Sequence, residues 1–279
     1  MLGIRDISSP KALGLILIIG LIILFIITKN SQAVMRAMVG QEISWRTASF
    51  NTVESEYFII KYSDEDIQYI DEIAAAADRS YLEVTRIFAY SPDKKTTIVV
   101  YPDTESLAQS FGWDKNEQAM GVYWAGSIRI LSPGAWLTYK LEDEFYREGP
   151  MVHEFAHLLI DDLTKGNYNR WWTEGVAQYV EKRVTSFQFD NPFVKGKPFN
   201  YYEIKDLEKS FDKLDQSIAY WESLQLVEYL VDNYGEDKIF LTLEYLGQGN
   251  SMANALEKAT GKKYHTFIND FYNMLEKNY

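Results

Sequence analysis

Three histidines occur in the 279-residue sequence, and two of them bracket a glutamate in His153-Glu154-Phe155-Ala156-His157. Residues four apart share one face of a helix, so both imidazoles can reach a single ion while Glu154 stands beside that face. The chemistry this allows is hydrolysis by metal-activated water, with Glu154 as general base. The chain has no cysteine, so a zinc site must draw on histidine and carboxylate ligands. Catalytic zinc takes three protein ligands and keeps a further position open. No third histidine follows closely. His265 lies far away in an amphipathic C-terminal stretch and is not expected to be a ligand.

Downstream stands Trp171-Trp172-Thr173-Glu174-Gly175-Val176-Ala177-Gln178-Tyr179. This run resembles the W-x-x-E-G-x-A-x-Y segment that carries the glutamate ligand in gluzincin zinc metallopeptidases. The chain is similar to their bacterial peptidase MA-like branch over roughly residues 50–275. Looser likeness lies in Tyr101-Pro102-Asp103, in Gly121–Leu131, in Tyr220-Trp221-Glu222-Ser223 and in Thr260-Gly261. The resemblance implies one Zn2+ ion held by His153, His157 and Glu174, and a peptide or protein substrate. It further implies Tyr220 as donor to the tetrahedral oxyanion. Two features depart from relatives of this group. Gln178 stands where thermolysin-like enzymes have an aspartate, and the aminopeptidase G-x-M-E-N signature is absent, so an endopeptidase is expected. Ligand histidines donate their second N–H to a carboxylate or carbonyl. Asp161, one turn after His157, and Gln178 are candidates for that role.

Helices must hold these groups. The apolar Val152, Phe155, Ala156, Leu158, Leu159 and Ile160 predict a buried helix over 149–162, with Pro150 in its first turn. A second helix is expected over 172–186, capped by Thr173, with Gly175 and Ala177 small enough for close approach. The elements before them mix types: strands at Glu56–Tyr62, Thr96–Tyr101 and Gly121–Leu131, a long helix over Asp64–Ala89, and a short one over 104–111 capped by Asp103. Another helix is expected at 136–147. Beyond the zinc segment the periodicity is helical at 204–213, 217–234, 236–247, 250–260 and 264–276, with a loop from Phe187 to Asn200. The fold class is therefore α+β, a small mixed sheet followed by a mostly helical half.

The segment ahead of this domain has a different character. Ala12–Ile27 is an unbroken apolar run flanked by Lys11 and Lys29, close to the ~20 residues a bilayer span requires. The expected organisation is a cytoplasmic stub (1–11), a transmembrane signal anchor (12–28), a juxtamembrane stalk (29–48) and the metallopeptidase domain (49–279). This places a single-pass protein in the cell membrane, its catalytic domain extracytoplasmic. The net charge of −12 argues against nucleic acid as a partner, because phosphate backbones demand basic patches. One alternative function survives: a membrane-tethered zinc-binding or sensor module without turnover. In either case the strand at 121–131 can pair with an extended peptide.

Overall fold

The computed structural model describes residues 31–278, apart from 116, 118, 138–143 and 194–199. The apolar run Ala12–Ile27 lies outside these. Among the described residues no helix is long and apolar enough to cross a membrane.

A five-stranded mixed sheet stands at the N-terminal side, in the order β1-β2-β3-β5-β4. Its strands are β1 (Asn51–Glu54), β2 (Phe58–Tyr62), β3 (Thr96–Tyr101), β4 (Gly121–Trp124) and β5 (Ser127–Leu131). The inner pairs β2–β3 and β3–β5 are parallel, and the edge strands β1 and β4 run antiparallel to their neighbours. Residues along β3 alternate between two cores, as side chains on a strand must. Ile98 and Val100 face the main core with Ile128 and Ile130. Val99 and Tyr101 face a smaller cluster completed by Leu107, Leu131, Val39 and Ile43.

Those last two residues correct an expectation. Within the segment expected as a stalk, Ser31–Arg46 is a helix, α1, laid on the outer face of the sheet. Burying Val39 and Ile43 contributes about 1.5–3 kcal/mol each relative to exposure. Two partly buried ion-pair anchors fix α1. Arg129 on β5 pairs with Glu42 at 2.6 Å, and Arg36 pairs with Asp161 and Asp162. The polar composition of the segment hid this docking face.

A second correction concerns 121–131, which is a hairpin rather than one strand. Ala125 and Gly126 turn it with φ of 43° and 86°, the left-handed conformation that tight hairpins use. The strand β1 had no sequence expectation.

The helices follow the predicted order. The long helix α2 (Ile70–Phe88) is preceded by a 3-10 turn at Asp64–Tyr69. The short α3 (Thr104–Ser110) is capped by Asp103, whose carboxylate accepts from the Ser106 amide at 2.7 Å. The helix expected at 136–147 reduces, among the described residues, to α4 (Glu144–Glu148). Then come α5 (Met151–Thr164), α6 (Arg170–Thr185), α7 (Ile204–Lys209), α8 (Gln216–Tyr234), α9 (Asp237–Gly247), α10 (Met252–Thr260) and α11 (Tyr264–Asn278). α5 is buried almost all round, lying between the sheet, α2, α6 and α9.

Candidate metal centre

α5 and α6 build the site. The apolar faces of α5 pin it in the core, which leaves His153, Glu154 and His157 turned toward α6. Helix α6 begins at Arg170 behind an extended Asn169, so Thr173 is an interior residue and not the cap. Its true role is different: Thr173 Oγ1 lies 2.6 Å from His157 Nδ1. His153 Nδ1 lies 3.0 Å from Glu181 Oε2. These two acceptors were missed in the sequence, and Asp161 and Gln178 do not fill the place expected of them. Asp161 faces Arg36, Gln32 and Tyr123, while Gln178 donates to the Tyr220 carbonyl at 2.9 Å. Glu181 stands one turn beyond Gln178 on the same face, a signal the sequence did contain.

With the Nδ1 atom of each ring turned to these partners, both Nε2 atoms point inward. The two Nε2 atoms are 3.1 Å apart, and Glu174 Oε2 is 3.4 Å from each. Ligands on a tetrahedral zinc at about 2.0–2.1 Å are separated from one another by roughly 3.3 Å, so these three atoms match one coordination sphere. Glu174 Oε2 is buried without a hydrogen-bond partner, an arrangement that costs free energy unless a cation answers it. His153, His157 and Glu174 therefore fit a metal ion. His265 stands apart and contacts Thr266.

The electrostatics agree. Burial works against charge on His153, but Glu181, Glu174 and Glu154 together hold its pKa well above the ordinary imidazole value. Burial likewise disfavours charge on Glu174, but His157, His153 and Arg170 override it and hold the carboxyl well below the usual range. A cluster that stabilises a proton on one of its own ligands is one that attracts positive charge.

Glu154 sits beside this group. Its Oε2 accepts the Tyr123 amide at 2.5 Å from the edge strand β4. Burial is the largest influence and pushes its pKa up, against the opposing pull of both histidines. The close approach of β4 requires glycine at 121, because a Cβ there would lie 2.5 Å from Pro150 and 2.8 Å from Glu154.

Tyr220 reaches the same site from α8. That helix packs tightly on α6 at Gly175, where a Cβ would come within 2.3 Å of the Ser223 carbonyl. The Tyr220 hydroxyl interacts with Arg170, and burial raises its pKa, so it remains a protonated donor. Arg170 was not anticipated. Its Nε lies 2.8 Å from Glu174 Oε1, one helical turn away.

A family profile described as the peptidase MA superfamily matches residues 77–277, well over half of the chain. No curated protein matches it.

Proposed function

The chain belongs to the peptidase MA superfamily, and on that premise we propose that it is a zinc-dependent endopeptidase in which His153, His157 and Glu174 hold the metal. The observation that carries this reading is the convergence of two Nε2 atoms and one buried carboxylate oxygen, Glu174 Oε2, at 3.1–3.4 Å. When bound, zinc supplies Lewis acidity toward a carbonyl oxygen and lowers the pKa of water toward neutrality.

The side chains do the rest. Glu154 takes a proton from the attacking water and returns it to the leaving amine. Its raised pKa brings it nearer the operating pH, where a general base that must later act as an acid works best. The Tyr123 amide orients its carboxylate. The Tyr220 hydroxyl donates to the oxyanion as it forms. The edge strand β4 runs beside Glu154, so an extended peptide added to that edge would lie across this carboxylate. Residues 12–28 anchor the chain in the cell membrane with this domain outside, a reading supported by the apolar run alone.

The test uses the full chain and Glu154→Gln, each assayed for bound metal and for hydrolysis of a mixed peptide library. The expected result is about one zinc in both, with turnover in the variant reduced about 10²–10⁴-fold. Zinc in both with cleavage by neither would favour a metal-binding module. No metal in folded, chelator-free protein would sink the reading.

A further inference from the structure

Arg170 is the first residue of α6 and points along the helix to Glu174. It divides the work of that carboxylate. Oε1 is held by the guanidinium at 2.8 Å. Oε2 is left without a hydrogen bond, 3.4 Å from both imidazole Nε2 atoms. The same guanidinium interacts with the Tyr220 hydroxyl on α8. The guanidinium thus neighbours both a ligand carboxylate and the Tyr220 phenol.

The physical consequence concerns the open position that a catalytic zinc must keep. A carboxylate free to rotate can offer both oxygens to a metal and fill that position. A carboxylate whose second oxygen is occupied cannot. Lysine does not replace arginine in this, since a point-like ammonium lacks the rigid fork that reaches two acceptors at fixed angles. Arg170 is half exposed, so water softens its charge but not its geometry.

We propose that Arg170 is a positioning residue that limits Glu174 to one metal-binding oxygen and holds the Tyr220 hydroxyl at the cleft. The proposal rests on the hydrolytic reading above and deepens it. One side chain then sets both the coordination number of the metal and the placement of the oxyanion donor.

The experiment compares the full chain with Arg170→Gln, Arg170→Lys, Tyr220→Phe and the Arg170→Gln/Tyr220→Phe double variant. Three quantities are measured: zinc affinity by chelator competition, the visible absorption of the cobalt-substituted protein, and kcat and KM on a peptide cleaved by the parent. Arg170→Gln is expected to weaken zinc binding about tenfold. It should also shift the cobalt spectrum toward the weaker bands of higher coordination, and lower kcat with KM little changed. Arg170→Lys, which keeps the charge, should shift the spectrum the same way. Tyr220→Phe should lower kcat while leaving zinc affinity and the cobalt bands at parent values. The double variant should lose less kcat than the product of the two single losses.

Parent affinity and a parent cobalt spectrum in both arginine variants overturn the coordination role. Independent, multiplicative losses in the double variant overturn the link to Tyr220. A parent that binds cobalt but cleaves no peptide ends the hydrolytic reading and with it the oxyanion role, yet the spectra still decide the effect on Glu174. A parent that binds no metal overturns both.

Discussion

Helix α5 carries a buried acidic cluster at each end, and the two are closed in opposite ways. At its C-terminal end Asp161 and Asp162 meet Arg36 of α1. Asp161 also accepts from Gln32 at 2.8 Å and from the Tyr123 hydroxyl at 2.6 Å, and Asp162 from Tyr90 at 3.3 Å. The chain supplies its own cation there. At the N-terminal end His153, Glu154 and His157 face Glu174 and Glu181. Arg170 reaches only one oxygen of that group, and three ligand atoms still converge on one point. The first cluster is a structural joint. The second is a group with the geometry to hold a metal ion. Similar residues on one helix thus take different roles according to whether the fold delivers an arginine to all of their acceptors.

A third carboxylate sharpens the contrast. Glu222 on α8 is fully buried and, among the described residues, pairs with no Lys or Arg. Neutral donors satisfy it: the Tyr202 amide at 2.8 Å and the Tyr272 hydroxyl at 3.0 Å. Burial raises its pKa to about 7, despite those donors.

Three measurements would break or sharpen this comparison. The largest stability effect is expected at the joint. Arg36→Gln leaves two carboxylates facing each other without a counterion, a change of the kind that costs about 3–5 kcal/mol in a dry interior. Arg36 is partly exposed, so roughly 3 kcal/mol is expected in chemical denaturation, with zinc affinity unchanged. Recovery of most of that loss in Arg36→Gln/Asp161→Asn/Asp162→Asn would confirm that charge, not packing, is responsible. A loss of zinc in the single variant would refute the separation of the two clusters.

Next is Glu222. Its unfolded pKa is near 4.5 and its folded pKa about 7, so between these values the folded state binds more protons. Stability should therefore fall as pH rises from 4.5 to 7, by up to about 3 kcal/mol, and this contribution should stay level above pH 7. Glu222→Gln should flatten that slope and be the more stable form at pH 8. An unchanged slope in denaturation curves would show that Glu222 is not the group responsible.

The smallest expected effect lies behind the imidazoles. Glu181→Gln or Thr173→Val should reduce zinc affinity about 10–100-fold by loosening the orientation of His153 or His157. Metal-free stability should change much less than in Arg36→Gln. Parent-level affinity in both would mean that the Nδ1 partners do not matter to the ligands.

How much of this was legible beforehand follows from the range of the interactions. His153, Glu154 and His157 lie within one and a half turns of a helix, so their spacing alone declares a shared face. Glu174 was reached through its resemblance to a longer motif. The helical half was readable because apolar residues recur at the helical period, and helix ends such as Asp103 carry their own caps. The composition excluded thiolate ligands and argued against nucleic acid as a partner without any coordinates.

Other features depended on contacts distant in sequence. The docking of α1 needs Arg36 and Asp161, 125 positions apart, and no local pattern announces such a pair. The hairpin at Ala125-Gly126 lacks the usual asparagine–glycine signal, so its two strands merged into one. Thr173 looked like a cap because it precedes an apolar run, but the helix starts earlier and leaves its hydroxyl free for His157. The sequence by itself determined which atoms can bind a metal. Only the tertiary structure decided which groups stand beside the Nδ1 atoms, which oxygen of Glu174 faces the imidazoles, and which acidic cluster receives an arginine, because those choices depend on distances between helices that spacing along the chain does not encode.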